Sequence, residues 1–136
     1  MYNFYGFETN VTDPQGHTPR DYYDMLKDIW NKDTCAPRMQ DQWTPANPTL
    51  GQCSITSFLM QDMFGGEVRG IALPDGNYHC FNIVEGQTFD LTSEQFNEKL
   101  DYANATPQER TTHFAKEEKR QRYELLKERL MKRLGE

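Results

Sequence analysis

Gly51-Gln52-Cys53-Ser54-Ile55-Thr56-Ser57-Phe58-Leu59-Met60-Gln61-Asp62-Met63-Phe64-Gly65-Gly66 is the stretch whose pattern decides the fold. Ile55, Phe58, Leu59 and Met63 recur at helical spacing, so a helix runs over 53–64. Gly65-Gly66 stops it, because glycine tolerates the left-handed backbone of a helix end. Cys53 falls in the first turn. There the positive end of the helix dipole and free backbone N–H groups favour a thiolate. Gly51, two residues earlier, allows a sharp turn and a close approach of substrate to backbone. The bland alternative for Cys53 is a small buried apolar residue, the usual fate of a free cysteine.

Downstream of the helix the pattern changes to strands. Residues 67–73, 78–84 and 87–91 read as a meander, joined by Pro74-Asp75-Gly76 and by a tight Glu85-Gly86 turn. His79 opens the second strand and is the candidate base for Cys53. If Glu85-Gly86 is a two-residue loop, Val84 pairs with Gln87 and Phe81 with Asp90. His79 and Asp90 are then diagonal neighbours on one face, and Asp90 can orient the imidazole. A three-residue loop would send Asp90 to the other face and leave Asn82 as the better-placed partner. Cys35 in a loop and Cys80 within a strand are weaker nucleophiles, as His17 and His113 are weaker bases.

Outward from this centre, Thr18-Pro19-Arg20-Asp21 reads as a helix start, with Tyr22, Leu26, Ile29 and Trp30 buried over a helix reaching about residue 31. Residues 32–50, with Pro37, Pro45 and Pro48, read as a long loop leading into the cysteine. Thr92 or Ser93 caps a short helix over 92–100. Thr106-Pro107-Gln108-Glu109 reads as a capping box opening one long helix to about residue 134. Its Tyr123, Leu126, Leu130 and Leu134 form a narrow apolar stripe, expected to lie on the body or on a second subunit. The expectation is a single α+β domain over 1–136: a loose lead segment at 1–17, whose Tyr2, Phe4, Tyr5 and Phe7 could pack onto the body, a core at 18–105 and a C-terminal helix at 106–136.

The motifs resemble known families. Gly51-Gln52-Cys53 before a helix looks like the nucleophile motif of transglutaminases. His79-Cys80-Phe81-Asn82 resembles their His-x-Trp-Asn segment, with Phe81 in place of tryptophan. More closely, residues 40–96 look like the bacterial YunG-like family. That likeness rests on Trp43-Thr44 with Asn47-Pro48, Gly51 to Thr56, Gln61 to Gly66, and Asp90-Leu91-Thr92-Ser93-Glu94-Gln95-Phe96. The resemblance implies a compact papain/transglutaminase-like core, with the Cys53 helix packed on a small antiparallel sheet. It makes Cys53 the nucleophile, His79 the base and Asp90 the orienter. Gln52 or the Cys53 backbone N–H would stabilise an oxyanion, and Trp43 would wall the cleft.

Composition narrows the partners. Of 136 residues, 36% are hydrophobic and 12% aromatic, so an aromatic-rich core is expected. The net charge is −6. Residues 106–136 carry 9 basic and 6 acidic groups, mixed along a helix as a solvated face. No nucleic-acid partner is expected from this acidic body, and no membrane span, since no apolar run approaches about 18 residues. Three cysteines and no visible secretory signal fit free thiols in a cytoplasmic protein. The cysteines are too scattered to hold zinc with His79, and no cofactor is expected. Two functions remain. One is a cysteine-dependent acyl-transfer enzyme acting on a protein or peptide. The other is an inactive fold that binds proteins through its C-terminal helix. Either would be a monomer or a homodimer formed through that helix.

Overall fold

Thr18 and Asp21 close the first helix as their spacing requires. The Thr18 hydroxyl accepts from the Asp21 N–H, and the Asp21 carboxylate accepts from the Thr18 N–H at 2.9 Å. Helix α1 is Pro19–Leu26, shorter than expected, although Trp30 remains buried beyond its end. Thr18→Ala removes the hydroxyl that accepts from the Asp21 N–H, leaves the backbone bond to the Asp21 carboxylate, and should lower stability by about 1 kcal/mol. A urea titration followed by circular dichroism measures it. The computed structural model describes residues 4–96 and 98–135.

Helix α2 is Cys53–Phe64, and every residue from Ser54 to Met60 is buried. Such a helix is central rather than half-solvated. One side lies on the sheet and another on the C-terminal helix. The sheet is antiparallel, in the order β3-β2-β1-β4, with β1 Glu67–Ala72, β2 Tyr78–Val84, β3 Gln87–Phe89 and β4 Thr106–Pro107. The architecture is α+β. Glu85 and Gly86 both have positive φ, 52° and 76°, the conformation of a two-residue hairpin turn. The register follows: Val84 faces Gln87, and Asn82 faces Phe89.

Three expectations are corrected. The lead segment is not loose where it is described. Phe4 and Val11 are buried in the core, and Asp13 accepts hydrogen bonds from Tyr22 and from the backbones of Gln15 and His17. The Asp90 N–H donates to the Tyr5 carbonyl at 2.9 Å, extending the β3 edge. Phe7 is exposed, and Tyr2 lies outside the described residues. Secondly, the helix expected over 92–100 is only a 3-10 turn, Ser93–Gln95, with a second turn at Tyr102–Asn104; residue 97 lies outside the described residues. The 32–50 loop likewise carries a 3-10 turn, Pro37–Gln42.

Thirdly, the capping box at Thr106 does not form. Thr106 and Pro107 pair with Gly70 and Arg69 as an edge strand, and the Gln108 N–H donates to the Val68 carbonyl. The open edge of β1 needs these backbone groups, and an edge strand tolerates proline. Two helices follow in place of one, α3 Arg110–Phe114 and α4 Glu117–Leu134. In α4, Tyr123, Leu126 and Leu130 are buried and Leu134 packs against the core. The stripe therefore lies on the body of the domain.

Candidate active site

Because α2 starts at Cys53, the thiol sits where the helix leaves its loop. No side chain caps this end. Cys53 is partly exposed, whereas Cys35 and Cys80 are buried, and all three are free thiols. Cys53 Sγ lies 3.8 Å from the Tyr78 carbonyl oxygen, which places it against the first residue of β2.

The next residue along β2 is His79, fully buried. The hairpin register brings it beside Asp90, and its Nε2 lies 2.6 Å from Asp90 Oδ2. A carboxylate there makes Nε2 the protonated nitrogen and leaves Nδ1 as the acceptor. Nδ1 has no well-formed hydrogen bond, yet the ring and the Cys53 thiol interact directly. Burial pushes the thiol pKa up most strongly. The closeness and positive charge of the His79 ring, with the Cys80 N–H, outweigh it and hold Cys53 below the usual thiol value. Burial pulls His79 down, but the charge and hydrogen bond of Asp90, with Cys53, raise it to about 10. Both directions favour a thiolate–imidazolium pair. Burial drives the other two thiols the opposite way, Cys35 up and Cys80 well up.

Asp90 is held from both oxygens. Oδ2 also accepts from the Tyr102 hydroxyl at 2.8 Å, while Oδ1 accepts from the Thr92 N–H at 3.1 Å and the Thr92 hydroxyl at 3.3 Å. The Phe96 ring stands edge-on to the imidazole, 4.7 Å between centroids. Gln95 ties this loop to the cysteine motif, donating to the Thr92 carbonyl and accepting from the Gly51 N–H. Gln95 stands within the 90–96 motif of the sequence with no role expected for it, and Tyr102 is not marked there at all. Tyr102 stands in a polar stretch without period, and nothing in its spacing marks it.

Other expected residues lie elsewhere. Asn82 is on the opposite face of β2, where its amide donates to the Ser57 carbonyl at 2.8 Å and ties the sheet to α2. Gln52 is buried and donates to the Asn31 carbonyl, away from the cavity lining. Trp43 donates to the Pro48 carbonyl and braces its own loop; it is not among the residues lining the cavity. Cys53 and His79 do line a cavity of about 590 Å³, with Gly51, Tyr78, Gln95 and Phe96 among their neighbours. Among the described residues, no three His, Cys, Asp or Glu side chains group to hold a metal ion. No helix among them is long and apolar enough to cross a membrane.

A family model described as YunG protein matches residues 18–135. The chain belongs to the YunG family. It is 33% identical over 78 residues to "Uncharacterized protein YunG" of Bacillus subtilis (strain 168), a stretch covering 57% of this chain and 63% of that relative. The alignment thus spans less than two thirds of the relative's length. No solved structure matches. The YunG match contains Cys53, His79, Asp90 and Tyr102, and begins after the docked segment that supplies Tyr5 to the Asp90 edge.

Proposed function

We propose that the chain is a cysteine-dependent acyl-transfer enzyme, of peptidase, amidase, deamidase or transglutaminase type, on a papain/transglutaminase-like core. The observation that carries this is the buried His79–Asp90 pair, with the imidazole set against the Cys53 thiol in an open cavity. A structural histidine gains nothing from a ring nitrogen left without a hydrogen-bond partner beside a partly exposed thiol, whereas a proton shuttle for that thiol requires one.

The chemistry follows from the geometry. The Cys53 thiolate attacks a carbonyl carbon, and the carbonyl pair moves onto oxygen. The Cys53 backbone N–H, at the start of α2 where no side chain caps the helix, is the donor we assign to that oxyanion. The His79 imidazolium gives its Nδ1 proton to the leaving group as the carbonyl re-forms, leaving a thioester. The neutral imidazole then takes a proton from water or an amine, which attacks the thioester and expels the thiolate. Asp90 keeps Nε2 protonated throughout, and Tyr102 and Thr92 keep Asp90 in place.

Iodoacetamide, with peptide mass spectrometry, tests the first requirement. Near neutral pH, Cys53 should be alkylated at least about tenfold faster than Cys35 or Cys80, since reactivity follows thiolate fraction and exposure. An acyl-trap probe should then label the parent, fail on Cys53→Ala, and label His79→Ala no faster than an ordinary thiol. Equal rates at the three cysteines would remove the basis for an activated nucleophile.

A further inference from the structure

We infer that the cavity selects acyl substrates bearing a carboxylate, with Lys119 as the anion-recognition residue and Lys116 beside it; this rests on Cys53 being the nucleophile proposed above. The protein has a net charge of −6, yet the cavity lining is of the opposite sign. Four of its side chains are cations, Arg38, Lys116, Lys119 and Arg122, against one carboxylate, Glu118. Two of the cations are already matched. Arg122 pairs with Glu118 at 2.8 Å and donates to the Thr34 carbonyl, and Arg38 reaches Asp75 at 3.4 Å. Among the described residues, no carboxylate lies within 4.0 Å of Lys116 or Lys119. A cleft lined by one sign of charge concentrates ligands of the other.

Lys119 is held in position and does not hang in solvent. It is half-buried, and its Nζ donates to His113 Nδ1 at 3.0 Å. His113 stays neutral, because burial and the charges of Lys119 and Lys116 push it down to about 4. Its Nε2–H therefore donates to Gln108 Oε1, at 2.8 Å. Gln108 is fixed to the sheet through its N–H to the Val68 carbonyl, and its side chain lies over Gly70, where a Cβ would come within 2.9 Å. The relay uses one ammonium N–H and leaves two for a ligand. Burial, the first influence on Lys119, lowers its pKa, and among the described residues no carboxylate stands within 4.0 Å to offset that cost. The charge of Cys53 also acts on Lys119, so cation and nucleophile share one space. A monoanion suits it better than a phosphate dianion, because Glu117 and Glu118 occupy the first turn of α4 beside the lysines.

Iodoacetate and iodoacetamide are the probes. Both form an S–CH2 bond and expel iodide, and they differ in carboxylate against amide. The iodoacetate-to-iodoacetamide rate ratio at Cys53, read per residue by mass spectrometry, cancels any change in thiol reactivity common to both. Lys119→Gln should lower that ratio about fivefold, Lys119→Arg should keep most of it, and added salt should lower it in the parent more than in Lys119→Gln. The same ratio in parent and Lys119→Gln, with Cys53 still the fastest thiol, overturns the carboxylate preference and leaves the nucleophile standing. Cys53 reacting no faster than Cys35 in the parent overturns both.

Discussion

Asp90→Asn should slow probe labelling of Cys53 by about a hundredfold while leaving the fold intact, the lower range expected when a general base is mis-set. The reason lies in the two ends of the carboxylate. Oδ1 accepts from the Thr92 N–H, which can only donate. An asparagine must therefore keep its carbonyl oxygen at that end. Its NH2 then falls where Oδ2 now meets His79 and Tyr102. Tyr102 can rotate its hydroxyl and accept, but His79 Nε2 must also become an acceptor. The ring proton moves to Nδ1, the side of Cys53, and the base has the wrong tautomer. Near-equal size keeps the packing. The pH profile gives the sign. Cys53 titrates below an ordinary thiol while His79 is cationic, so alkylation in the parent continues as pH falls below the usual thiol range. Without the Asp90 charge the imidazolium is less favoured, and the profile of the variant moves to higher pH. Asn82→Ala is the control. It removes the donor to the Ser57 carbonyl and should cost about 1–3 kcal/mol of stability. It stands on the other face of β2, so labelling should change little. The reverse outcome, full labelling in Asp90→Asn and loss in Asn82→Ala, would transfer the orienting role to Asn82.

Where the sequence was legible, the information was local. Helix α2 ends at its glycines, and the hairpin register follows from a two-residue turn whose residues both take positive φ. Those short-range rules place His79 and Asp90 on one face before any tertiary contact is known. The site's supports were not legible because they come from afar in the chain. Tyr102 reaches Asp90 from a segment without period, and Tyr5 bonds the Asp90 backbone from the opposite end of the protein. Thr106-Pro107 misleads for a related reason. Its four residues satisfy a helix-start pattern, but the unpaired edge of β1 offers those backbone groups a better use. The break between α3 and α4 is likewise a tertiary effect. It lets His113 and Lys119 meet and lets Phe114 pack on Phe58 and Tyr123.

Gly51→Ala should be the most damaging single-methyl change next to the site, for reasons of backbone and space together. Gly51 has φ of +71°, a region that costs an ordinary residue roughly 1–2 kcal/mol. A Cβ there would also stand 2.6 Å from Cys35 Sγ and 2.9 Å from the Ala36 nitrogen. Neither neighbour yields easily. Cys35 is fully buried, and the Ala36 N–H is bonded to the Gly51 carbonyl itself. Relief must come from moving the 51–53 backbone, which carries the nucleophile. The expected loss is about 3 kcal/mol, strain and overpacking combined, or on the order of 10 °C in Tm for a chain of this size. Cys53 labelling should fall about tenfold in the fraction that remains folded, since small misplacements at a reacting centre are expensive. Adding Cys35→Ala to Gly51→Ala separates the causes. Removing Sγ lifts the closer contact but neither the φ cost nor the clash with the Ala36 nitrogen, so stability should recover in part. Full recovery would mean that the glycine is needed only for space above Cys35. No loss in the single variant would mean that the turn before Cys53 is not fixed by Gly51 at all.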